Sequence, residues 1–154
     1  MSDPVSVSTH IDAAPERIYA LVSDLPRMGE WSPENTGGKW VGGATGPAVG
    51  AKFKGTNRKG IARWSTTCTI VEATPGKAIA WDVTTGPFAV ARWGYSIAPS
   101  ADGCEVTETW EDHRAPLAKT VTGLALAVKD RAAHNEAGMR TTLERLKAAA
   151  EASA

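Results

Sequence analysis

ARWSTTCTIVEATPGKAIAWDVTT, residues 62–85, decides the fold. Trp64, Thr66, Cys68 and Ile70 fall on one side of an extended chain, and Arg63, Ser65, Thr67 and Thr69 on the other. After Thr74-Pro75-Gly76 the alternation resumes with Ile79, Trp81 and Val83. Period-two patterning in β-branched and aromatic residues predicts two strands, each with one buried face. The short turn makes them antiparallel neighbours, because a parallel crossover needs about a dozen residues or more. The same grammar extends in both directions. Lys39 to Val41, Ala51 to Arg58, Val90 to Ala98 and Cys104 to His113 read as further strands, punctuated by Gly42 to Gly50, Lys59-Gly60, Gly86-Pro87 and Pro99 to Gly103. Residues 35–114 are therefore a six-strand meander.

Upstream, Val5, Val7, Thr9 and Ile11 alternate with Ser6, Ser8 and His10, which predicts one more strand. Pro15 suits a first helical turn, with Asp12 or a near neighbour as its cap. Ile18, Leu21, Val22 and Leu25 keep helical spacing, Pro26 ends that helix, and Arg27 to Trp31 forms a second short one. Downstream, Leu117, Val121, Leu124, Val128, Met139, Leu143 and Leu146 recur at three- or four-residue steps, predicting a long helix over Leu117 to Ala149. Gly123 and Gly138 each weaken it by roughly 1 kcal/mol relative to Ala. A sheet with one apolar face needs a cover, and the C-terminal helix is the only element large enough. The expected fold is α+β: a curved seven-stranded antiparallel sheet wrapped around a long C-terminal helix, in one domain over residues 1–154.

Composition narrows the function classes. Lys plus Arg and Asp plus Glu are 17 each, so the one-signed field of a dedicated nucleic-acid binder is missing. The cluster Lys52, Lys54, Arg58 and Lys59 reads as a solvated strand face, with a phosphate site as the alternative. Cys68 and Cys104 stand apart, with no CxxC and no His nearby, so buried free thiols are expected and no metal site. No secretory leader is visible at the N-terminus, and no apolar run is long enough to span a bilayer. A cytoplasmic, reduced protein is the simplest expectation. Neither a phosphate-binding glycine loop nor a Ser–His–acid set with a nucleophile elbow is present, and no cofactor is expected.

Six Trp against two Tyr and two Phe is an unusual aromatic inventory. Alternation puts Trp64, Trp81, Trp93 and Trp110 on the concave side, one from each of four strands, with Phe53, Asn57 and Tyr95 on the same side. Val128, Asn135 and Met139 join the inward stripe of the helix. These residues either fill a solid core or line a pocket for a small molecule, whose usual make-up is apolar walls with a few polar groups. Glu108 is the sharpest single residue, because it lies between Val106 and Trp110 on the inward face. A bare carboxylate there is costly, and burial would raise its pKa and make it a candidate general acid or base. The alternatives are pairing with a base such as Arg131, or a bulge that exposes it. His10 should face solvent, His113 ends a strand, and His134 sits off the apolar stripe.

The order of elements resembles the START-like superfamily, also called Bet v 1-like or SRPBCC. The runs Ala14-Pro-Glu-Arg-Ile-Tyr-Ala-Leu-Val-Ser-Asp24, Met28-Gly-Glu-Trp-Ser-Pro-Glu34, Arg63-Trp-Ser-Thr-Thr-Cys-Thr-Ile-Val-Glu72, Val106-Thr-Glu-Thr-Trp-Glu111 and Arg131-Ala-Ala-His-Asn-Glu-Ala-Gly-Met139 are similar to bacterial polyketide cyclase/dehydrase or lipid-transport-like members. The resemblance implies a helix-grip fold with a cavity whose mouth is flanked by the Gly42–Gly50 loop and the region around Trp31. It implies three kinds of activity. One is binding of a small apolar molecule (lipid, polyketide or aromatic metabolite). Another is a cyclase, aromatase or dehydrase using a buried acid, and the third is a protein-interaction module. A monomer or homodimer fits each. All inward assignments depend on register, since a slip of one residue swaps every face.

Overall fold

A computed structural model describes residues 4–114 and 131–152. Its strands are β1 (Val5–Ile11), β2 (Asn35–Val41), β3 (Lys52–Lys59), β4 (Ala62–Thr74), β5 (Ala78–Thr85), β6 (Phe88–Ser100) and β7 (Gly103–Asp112). Helix α1 (Pro15–Val22) and a 3-10 helix (Leu25–Glu30) follow β1, and helix α2 (Arg131–Ala152) ends the chain. The sheet is antiparallel throughout, in the order β1-β7-β6-β5-β4-β3-β2. The meander and its cover are those expected from the alternation. Of the expected helix from Leu117 to Ala149, the half carrying Leu117, Val121, Leu124 and Val128 lies outside the described residues.

Register fixes which side chains meet. One row across the concave face reads Val5–Trp110–Trp93–Trp81–Ile70, and the next reads Val7–Glu108–Tyr95–Ile79. A third runs Trp40–Phe53–Cys68–Val83–Ala91. Register breaks at Asn35/Gly37, Ile70/Glu72 and Val83/Thr84 add local twist and bend their strands, which curls the sheet. Gly38 sits under the Phe53 ring, and a Cβ there would lie 2.7 Å from it.

Helix α2 buries Asn135, Met139, Thr142, Leu143, Leu146 and Ala150, a stripe at three- and four-residue spacing. Full burial of Met139, Leu143 and Leu146 contributes about 1.5–3 kcal/mol each relative to exposure. The helix comes closest to β1 and also approaches β7 and α1. Its last turn is tied down by polar contacts. Arg17 donates from Nε to the Ala150 carbonyl at 2.8 Å and from Nη2 to that of Ala149 at 3.1 Å. These two carbonyls lack acceptor duty inside the helix, so α1 locks the end of α2.

Two local expectations are corrected. No side chain caps α1, whose N-cap is Ala14. Asp12 instead offers its backbone N–H to Glu151 at 2.9 Å, so the start of α1 is held by the end of α2. Leu25 belongs to the 3-10 helix rather than to α1, which stops at Val22 where Ser23 Oγ donates back to the Tyr19 carbonyl at 2.6 Å.

Candidate functional site

The concave face is built from alternate residues of five strands. Phe53, Trp81, Tyr95 and Trp110 are buried, whereas Trp64, Trp93 and Asn57 are half-buried. Trp93 and Trp110 face each other with centroids 6.3 Å apart, and Trp81 and Tyr95 lie 6.0 Å apart. Both pairs are tilted, the arrangement that aromatic quadrupoles favour over a flat sandwich. Phe53 meets Trp40 edge to face at 5.4 Å. Asn57 donates to Thr66 Oγ1 at 3.3 Å, so its amide is partly satisfied within the sheet. From α2, Asn135 and Met139 are buried as the stripe required. Val128 lies outside the described residues.

Glu108 is the exception in this apolar surface. It is 3% exposed, and strand pairing sets it between Val7 and Tyr95. The bulge that would have exposed it does not occur. The Tyr95 hydroxyl donates to Oε2 at 3.1 Å, while Oε1 is buried with no hydrogen-bond partner among the described residues. Burial pushes the carboxyl from 4.5 to about 8, against the smaller lowering effect of the Tyr95 hydrogen bond. Burial also drives the Tyr95 hydroxyl well above its ordinary value, with Glu108 adding to the rise. At neutral pH the pair is therefore mainly a protonated acid and a phenol. The acid presents one unused oxygen, which donates when it carries the proton and accepts when it does not.

The rim is held by contacts that the sequence did not signal. His134 Nε2 lies 2.9 Å from Glu34 Oε2, joining α2 to the segment before β2 across a hundred positions of sequence. Helical spacing had marked His134 only as lying off the apolar stripe. Trp31, in the region that the resemblance puts beside a pocket mouth, is 2% exposed, with the Arg27 guanidinium 5.6 Å from its ring centroid. Beside it, Pro26, Arg27, Gly29, Glu30, Asn35, Thr36 and Gly37 line an open depression of about 260 Å³. Arg27 is already engaged there by Glu30 at 2.7 Å. Among the described residues no cluster of His, Cys, Asp or Glu could hold a metal ion. No described helix is long and apolar enough to cross a membrane.

The sequence profile of a family described as polyketide cyclase/dehydrase and lipid transport matches residues 4–151. The chain belongs to this family. Membership implies binding of a small hydrophobic molecule. No curated protein is similar enough in sequence to match. Among solved structures, a polyketide-cyclase-like protein of Corynebacterium glutamicum is 29% identical, with a TM-score of 0.65 over 99% of this chain and 98% of that one. A protein from Chromobacterium violaceum, 18% identical, has a TM-score of 0.73 over 98% and 99% of the two chains. The two-domain aromatase/cyclase StfQ of the steffimycin biosynthetic pathway is 15% identical, with a TM-score of 0.75 over 97% of this chain and 50% of that one. The last two likenesses establish the helix-grip fold and nothing about chemistry.

Proposed function

We propose that the chain binds a small, uncharged, mostly apolar molecule against the concave face of the sheet, with Glu108 and Tyr95 holding its polar head. The observation that carries this reading is the unused Oε1 of Glu108 in a wall otherwise made of Trp81, Trp93, Trp110, Phe53 and aliphatic side chains. A buried polar atom left without a partner costs about 1–3 kcal/mol. A ligand carbonyl or hydroxyl placed against it would recover that cost. The half-buried Trp64, Trp93 and Asn57 give the ligand surface to displace water from, with Asn135 and Met139 as the facing wall from α2. A carboxylate ligand would bring an unpaired negative charge into a low-dielectric site that offers it no cation, so the head is neutral.

Titration with a neutral naphthylamine probe, followed by competition between a long-chain alcohol and the fatty acid of the same length, tests the reading. Saturable quenching of Trp fluorescence, reversed more strongly by the alcohol, is expected. Absence of saturable quenching, or preference for the fatty-acid anion, would defeat it.

A second reading has its own support. An acid held near neutrality by burial is suited to general acid catalysis, so Glu108 could protonate a leaving hydroxyl or a carbonyl during cyclisation or dehydration. Under this reading Glu108→Gln abolishes turnover and leaves probe binding intact; normal turnover by the variant would remove it.

A further inference from the structure

The balanced total charge hides a segregation. Between Glu34 and Glu72 the chain holds six bases (Lys39, Lys52, Lys54, Arg58, Lys59 and Arg63) and no acid. The rest of the chain carries the remaining eleven bases against all seventeen acids. These six residues fall on β2, β3 and β4, at one edge of the sheet. Five are exposed and Lys59 is half-buried. None forms an ion pair with a carboxylate among the described residues; Lys52 reaches only Thr69 Oγ1 and Arg58 only the Gly60 carbonyl. Glu34, the acid nearest in sequence to this edge, turns its carboxylate to His134.

Register sharpens the observation. Lys39 stands opposite Lys54, and Arg58 opposite Arg63. Like charges directly across a strand pair are destabilising, so the fold gains nothing from either arrangement. The tip of the same hairpin is equally unfavourable in isolation. Ile61 is fully exposed, at 102% of its reference area, on the turn between β3 and β4. Pairing with β2 begins at Asn57, and pairing with β5 runs no further than Thr67. Arg58 still donates its backbone N–H to the Glu34 carbonyl at 2.7 Å, and Lys59 to Arg63 project as a two-stranded ribbon beyond both neighbouring strands. A second exposed apolar side chain, Phe88, starts β6 at the same end of the sheet.

We propose that this ribbon and the basic face behind it form a docking surface for an anionic membrane, with Ile61 entering the headgroup–acyl boundary and Arg58, Lys59 and Arg63 meeting the phosphates. An isolated convex apolar tip ringed by unpaired cations offers no recess for a partner side chain, which argues against a folded acidic protein as the occupant. Headgroup phosphates satisfy the cations, and the acyl boundary takes the isoleucine. The surface is separate from the concave face, and it stands whether or not a ligand binds there.

The test is flotation of the intact chain with vesicles of equal parts phosphatidylcholine and phosphatidylglycerol, against vesicles of phosphatidylcholine alone, at about 0.01 M and about 0.5 M salt. Binding to the anionic vesicles alone, lost at high salt, is expected. Arg58→Gln with Arg63→Gln should weaken it about tenfold or more, and Ile61→Ser several-fold. Because these side chains are exposed, circular dichroism should report unchanged folding in each variant. Failure to bind anionic vesicles at low salt would overturn the proposal. So would binding that ignores both sets of substitutions. Equal retention on a heparin column by the wild type and Ile61→Ser, with no vesicle binding, would reassign the surface to soluble polyanions and overturn it as well.

Discussion

Replacing Glu108 by Gln should change how stability depends on pH. The carboxyl titrates at 4.5 when solvated and at about 8 in the fold. Between those values the folded chain holds a proton that the unfolded chain has released. Stability from this group is therefore fully present below pH 4.5 and is lost as pH rises towards 8. At about 1.4 kcal/mol per pH unit, the loss across the window is about 3–5 kcal/mol. That is a large share of the roughly 5–15 kcal/mol that holds a domain of ordinary stability together. Gln is isosteric and cannot lose a proton, but its amide N–H at the Oε1 position has no acceptor and costs about 1–3 kcal/mol at every pH. The variant should therefore be the less stable protein near pH 5 and the more stable one near pH 9, with the curves crossing between. Urea unfolding of both proteins at half-unit pH steps reads this directly, and the difference between them cancels every titrating group that the two proteins share. Asp82, Glu30 and Glu151 do not intrude, since Arg92, Arg27 and the Asp12 backbone N–H lower their values and move their effects to acid pH. Parallel curves for the two proteins would refute the claim that Glu108 is buried without compensation.

Three further outcomes follow from particular contacts. Arg17→Ala removes the charged donors to the Ala149 and Ala150 carbonyls and should cost about 1–3 kcal/mol in chemical unfolding, with Arg17→Lys recovering part of it. Gly38→Ala should cost more than about 2 kcal/mol, because φ is +154° and the new Cβ would collide with the Lys54 carbonyl and press on the Phe53 ring; an unchanged melting temperature would show that the β2–β3 backbone shifts freely to admit it. Burial pushes the Cys68 thiol up to about 12 and raises that of Cys104. Ellman's reagent should therefore leave native protein nearly unlabelled and react with both thiols in urea.

The meander was legible because strand alternation is strict from Ala62 to Thr85 and short turns leave antiparallel pairing as the only connection. The same periodicity put Glu108 inside, since no break in β7 separates Val106 from Trp110. Its partner was not legible. Pairing of Tyr95 with Glu108 depends on the β6–β7 register, which the turn at Pro99 to Gly103 sets and which alternation alone does not fix. Long-range polar ties were equally silent. Arg17 to Ala150, Asp12 to Glu151 and His134 to Glu34 join residues a hundred or more positions apart, and nothing in the local pattern of either partner announces the other. Asp12 looked like a cap because Asp before a Pro-initiated helix usually is one. Here the N-cap is Ala14, two residues further on, and the tie at Asp12 is its own backbone N–H donating to the Glu151 carboxylate. The burial of Trp31 was equally silent, because it follows directly on the 3-10 helix Leu25–Glu30, where helical spacing over so few residues does not specify a buried face.

The central claim is that the concave face receives an apolar ligand, and the most direct measurement is an NMR titration of the six tryptophan indole N–H signals with a neutral naphthylamine probe. The account predicts saturable shifts at Trp64 and Trp93, whose rings are half-buried on that face, together with Trp81 and Trp110, and little change at Trp31, which lies off the sheet. If the probe binds while the indoles of the sheet stay fixed, or if nothing binds at all, the tryptophans fill a core and the account is wrong.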